Sequence, residues 1–139
     1  MHYHFVDDAA FDSLVQGGEL LEFAVVHGAA RYGTPRRPVV EAVRAGRPAL
    51  LEIDLQGARM VRVVMPAARF VFLAPPTWQD LVARLAGRAT EGPAERDRRL
   101  ATARDELSAA AEFDVTVVND DVGRACDAVA AEMGLHVGR

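Results

Sequence analysis

Short apolar runs alternate along the chain with segments of helical period. Tyr3 to Val6 reads as a short strand, and Ala9 to Gln16 as a helix with Phe11, Leu14 and Val15 on one side and Gly17-Gly18 as its stop. Leu20 to His27 is an apolar strand with Glu22 set into it. HGAARYGT reads as a glycine-containing loop, leading to Pro35 and a Val- and Arg-rich helix that ends at Gly46. ALLEID has the continuous apolar character of a buried strand, and LQGARMVRVVMP that of a helix stopped by Pro66. RFVFLAPP is a second buried strand.

Thr77, with Asp80 three residues on, predicts a capped helix to about Arg88, broken at TEGP. Leu100, Ala103, Leu107 and Ala111 place a long helix over about 94–112. DVTVVN is a strand. Asp120 is the expected cap of a last helix with the stripe Val122, Cys126, Val129 and Met133. Strands alternating with helices predict an α/β fold, with Ala49–Ile53, Arg69–Ala74 and Val115–Val118 parallel. The opening strand–helix–strand is short enough for a small antiparallel lobe.

Composition narrows the function classes. The length of 139 residues suits one domain, and 50% hydrophobic with 26% charged residues excludes disorder. A net charge of −4 argues against a nucleic-acid or membrane-surface partner. Cys126 is the single cysteine, so no internal disulfide forms, in keeping with a reducing compartment. No apolar run approaches the roughly 18 residues of a membrane span, and the N-terminus lacks the pattern of a secretory leader, so a cytoplasmic location is expected. All 16 basic residues are Arg, which excludes a Schiff-base lysine and any GxxxxGK[ST] phosphate loop in this sequence.

In sheets of this kind ligands bind beyond the carboxyl ends of the strands. Glu52 and Asp54 share one face of a strand at that end, where two carboxylates suit a metal–phosphate complex through water, or ribose and base N–H groups. The alternative is a helix-capping Asp54 and a core-edge Glu52 paired with an Arg. Asn119 closes VTVVN, or is simply a turn residue before a cap. Glu22 offers a carboxylate to two parallel N–H donors, as a guanine N1–H and exocyclic amine present; alternatively it lies on a solvated strand face. Arg84, Arg88, Arg96, Arg98 and Arg99 flank TEGP, a pattern that suits either a closing polyphosphate clamp or a solvated charged face. Trp78 and Cys126 read as packing residues. The four histidines have no metal-ligand spacing with Cys126, and Ser13 has no triad partners.

The order of segments resembles one family. YHFVDDAAFDSLVQGGELLEFAVVHGAARYGTP is similar to the GMP-binding lobe of guanylate kinases, and LLEIDLQGAR, FVFLAPP, RLAGRATE, RRLATARDEL and VVNDD follow in family order at family spacing. The resemblance implies a P-loop-NTPase-like parallel sheet with helices on both faces, a GMP-binding lobe at 1–34, and a core at 35–139 with a helical lid at about 84–99. It implies the reaction ATP + GMP to ADP + GDP, with Mg2+ accompanying ATP and no direct protein ligand to the metal. By residue, it implies that Tyr3 contacts the GMP phosphate, Glu22 reads the guanine edge, and Tyr32 and Thr34 bind phosphate and base. Glu52 and Asp54 face the nucleoside and the magnesium–phosphate region. Arg88 and Arg99, with Arg84, come from the lid to neutralise the transferring phosphoryl group, and Asn119 and Asp120 border the adenine pocket.

Departures accompany it. The family's first strand, phosphate loop and first GMP loop have no counterpart, and Ala89 stands where the lid normally has a second glycine. The expectation is a truncated product with an exposed apolar sheet edge and no measurable turnover alone. The alternatives are a non-catalytic guanylate-kinase-like module binding GMP or a phosphorylated peptide, and a nonfunctional gene remnant.

Overall fold

The computed structural model describes residues 3–26, 30–87 and 92–135. Backbone contacts divide the chain into two compact units, Met1–Ala68 and Arg69–Arg139.

In the first unit the side chain of Asp7 accepts a hydrogen bond from the Ala10 amide and caps helix α1 (Asp8–Gln16), whose buried residue is Phe11. Strands β1 (Leu20–Val26) and β2 (Ala30–Pro35) form an antiparallel hairpin with Glu22 opposite Thr34 and Ala24 opposite Tyr32. The ring of Phe11 meets that of Phe23 edge-on, and the Arg31 guanidinium lies 4.6 Å above Phe11 while pairing with Asp8 and Asp12. These contacts tie α1 to both strands. Helix α2 (Arg36–Arg44) buries none of its residues. Helix α3 (Leu55–Val64), capped by Asp54, buries Gly57, Ala58 and Val61 and packs on β1.

In the second unit β3 (Val71–Ala74) and β4 (Val115–Val118) pair in parallel, Val71 opposite Val115. The Asp114 carboxylate accepts from the Phe70 amide at 2.7 Å, and Phe72 packs edge-on against Phe113. Helix α4 (Trp78–Ala86) has the Thr77 cap, and α5 (Pro93–Ser108) packs beside it, Arg104 lying over the Trp78 ring. A 3-10 turn (Ala109–Glu112) ends α5, and α6 (Val122–Glu132) packs on β4.

Four expectations are corrected. Residues 3–6 are exposed and form no strand. RYGT belongs to β2 rather than to a loop: Gly33 sits so close to β1 that a Cβ there would lie 2.8 Å from the Glu22 carbonyl oxygen, so the glycine serves strand contact, not a turn. Residues 49–53 form no strand, because a strand needs a ladder partner and no described segment supplies one. Their exposure still alternates, with Leu51 and Ile53 half-buried and Leu50, Glu52 and Asp54 exposed. At α6 the cap is Asp121, not Asp120, and the inward positions are Ala125, Val129 and Met133, so Val122 and Cys126 are exposed rather than core.

Candidate functional site

Strict alternation would place Glu22 on the face opposite Leu21. The ladder breaks that alternation: its register shifts between Leu20 and Glu22, leaving Leu21 as an extra residue in β1. Such a bulge re-aims neighbouring side chains. As a result Leu21 and Glu22 are both buried, at 2% and 0% exposure. The solvated-face alternative for Glu22 is thereby overturned.

The two carboxylate oxygens of Glu22 differ in environment. The Thr34 hydroxyl donates to Oε1 at 2.5 Å, while Oε2 is buried and has no hydrogen-bond partner among the described residues. A buried charged acceptor left unpaired is costly, about 1–3 kcal/mol or more. Oε2 therefore marks a place where an N–H donor would be stabilised.

The first turn of α3 stands behind this carboxylate. Asp54 caps the helix by accepting from the Gly57 amide at 2.7 Å. A Cβ on Gly57 would lie 2.9 Å from Glu22 Oε2 and 3.1 Å from Asp54 Oδ1, so two acidic groups converge on one glycine. Tyr32, two positions before Thr34 on the same strand, completes the group. Its phenol pKa is raised above the ordinary 10.0, first by burial, then by the negative charges of Asp54 and Glu22 and by Tyr3. The structure thus gathers Glu22, Thr34, Tyr32, Asp54 and, at the edge, the exposed Tyr3. Glu52 is exposed. Asp54 also realises the structural alternative, since its carboxylate is a helix cap.

The remaining expected residues belong to the second unit. Arg84 is exposed and donates to the backbone carbonyl of Asn119 at 3.0 Å, while the Asn119 amide donates to Ala74. Asp120 pairs with Arg124 at 3.2 Å. Arg99 is half-buried on α5. Arg88 lies outside the described residues. Among the described residues no cluster of three or more His, Cys, Asp or Glu side chains could hold a metal ion, and no helix is long and apolar enough to cross a membrane.

Two features of the site were not anticipated. The bulge at Leu21 has no sequence signature. Gly57 did have one, a glycine in the first turn of an expected helix, where glycine is unfavourable without a packing reason.

The guanylate kinase family model matches residues 1–134. A guanylate kinase of Leifsonia xyli is 60% identical over 125 residues, covering 90% of this chain and 49% of that protein. One from Frankia casuarinae is 56% identical over 133 residues, covering 96% and 72%. The crystal structure of guanylate kinase from Anaplasma phagocytophilum superposes with a TM-score of 0.72 at 32% identity, covering 93% of this chain and 62% of that one. The chain spans about half to under three quarters of the length of these relatives.

Proposed function

Because the chain belongs to the guanylate kinase family, we propose that its first unit binds GMP and that the family reaction, ATP + GMP to ADP + GDP, is the chemistry to which it contributes. The observation that carries the reading is Glu22: a fully buried carboxylate with one oxygen held by Thr34 and the other without a partner among the described residues. Guanine presents two parallel donors, N1–H and the 2-amino group, to two such acceptors. Adenine presents an acceptor at N1, which a carboxylate repels.

In this proposal Glu22 and Thr34 hold the base. Tyr3 and Tyr32 hold the phosphate through their hydroxyls. Glu52 and Asp54 face the nucleoside side. In the second unit Arg84, Arg88 and Arg99 would meet anionic phosphate, and Asn119 and Asp120 would border the adenine of ATP. Phosphoryl transfer of this kind proceeds in line by positioning and charge neutralisation, with no covalent intermediate. Magnesium, when carried by ATP, neutralises phosphate charge; the described side chains form no cage for it, and no step here depends on one.

Calorimetric titration of the chain with GMP, IMP and AMP tests the reading. GMP is expected to bind most tightly, IMP to lose at least about tenfold for its missing amine, and AMP not to bind measurably. AMP binding as tightly as GMP would overturn it.

A further inference from the structure

Helix α3 reaches the buried carboxylate with its third residue, Gly57, which carries no side chain. At Gly57 a side chain is excluded by two acidic oxygens, Glu22 Oε2 at 2.9 Å and Asp54 Oδ1 at 3.1 Å from where a Cβ would stand, with Ile53 Cβ at 3.3 Å. Real Cβ atoms essentially never approach another atom to under 3.0 Å, so a methyl group here forces something to shift, and the end of the flexible Glu22 side chain is the part that moves at least cost. The two oxygens differ in how readily they move. Asp54 is the helix cap and is fixed by its bond from the Gly57 amide. Glu22 Oε1 is anchored by Thr34, but among the described residues Oε2 has no bond to hold it. Space, not hydrogen bonding, keeps Oε2 in place.

We propose that Gly57 is a positioning residue for base recognition: its missing side chain leaves the space that lets both oxygens of Glu22 face the ligand together, and so sets the preference for a purine bearing an amine beside a ring N–H. This rests on the reading of Glu22 given above. A ligand with two donors outcompetes one with a single donor only when two acceptors stand in register. Turning Oε2 aside leaves Oε1, held by Thr34, as one acceptor, and the advantage of the second donor disappears.

The test compares Gly57→Ala with wild type in two ways. In calorimetric titration the GMP-over-IMP affinity ratio is expected to fall at least fivefold; a ratio within twofold of wild type overturns the proposal. In thermal melts Gly57→Ala is made in the wild-type and in the Glu22→Ala backgrounds. Alanine favours helix over glycine, so the substitution is expected to lower the melting temperature only where the carboxylate is present. An equal loss in both backgrounds overturns the proposal. Should Gly57→Ala alone fail to fold, E22A/G57A folding as well as E22A carries the same positive result. Should wild type show no preference for GMP over IMP, the guanine reading fails, while the pair of melts still decides whether Gly57 acts through Glu22.

Discussion

The hydroxyl of Thr34 donates to Oε1 of Glu22 across the β1–β2 hairpin, where the two residues are direct register partners. The bond joins a buried acid to the neighbouring strand and leaves the acid's second oxygen for something else. Glu22 shares the inward face of β1 with Ala24, and the bulge lets Leu21 be buried beside it, so the hairpin carries an acidic group in a position usually given to an apolar one.

Thr34→Val keeps the side-chain shape and deletes the donor. Oε1 then joins Oε2 as a buried acceptor without a partner among the described residues, a cost of about 1–3 kcal/mol. Thermal unfolding is expected to shift down by roughly 3–10 °C. GMP affinity should fall about tenfold or more, since the carboxylate loses its anchor. An unchanged melting temperature would show that the bond contributes nothing.

Tyr32 links the site to alkaline pH. Its folded pKa lies above the unfolded value near 10.0, so the folded state holds the proton more tightly. The contribution is complete below the unfolded pKa and is lost as pH rises through the folded one. Melting temperature should therefore be insensitive to this group below about pH 10 and decline above it. Tyr32→Phe should flatten that alkaline limb, and absorbance titration of the phenolate should lose its higher-pH step. A limb of the same slope in the variant would exclude Tyr32 as its source.

Arg31 ties β2 to α1 through Asp8, Asp12 and the Phe11 ring. Arg31→Ala should lower the melting temperature less than Thr34→Val, because exposed ion pairs contribute little. The loss should narrow in 1 M salt, where the Debye length shrinks to about 3 Å. A loss independent of salt would assign the effect to ring packing alone.

The sequence contains no lysine and so no GxxxxGK[ST] phosphate loop. Single groups that stabilise transferring charge are each worth roughly 10²–10³ in rate. The 139-residue chain given ATP, magnesium and GMP is expected to release no ADP above background. Turnover within tenfold of a full-length relative would contradict this.

Element type was legible wherever a local signal decided it. Asp80 beside Thr77, the Gly17-Gly18 stop and the apolar runs of β3 and β4 all act within a few residues. What failed depended on distant partners. RYGT looks like a loop until β1 lies against it, and residues 49–53 look like a strand until a ladder partner is sought. Asp120 and Asp121 are equally good caps in sequence; Asp120 instead pairs with Arg124. At the site, residue types pointed to Glu22, but which face of β1 is buried depended on what packs against it, and the reason for Gly57 was the acid packed against it.

The central claim is that the Glu22 carboxylate is the reader of the base, and titration of GMP against Glu22→Gln tests it most directly. Glutamine keeps the shape but replaces one acceptor with a donor that opposes the guanine edge. Hydrogen bonds to a charged group are worth about 1.5–3 kcal/mol, so affinity should fall at least about 10-fold from wild type while the variant still unfolds cooperatively. A folded Glu22→Gln chain that binds GMP within threefold of wild type would contradict the account.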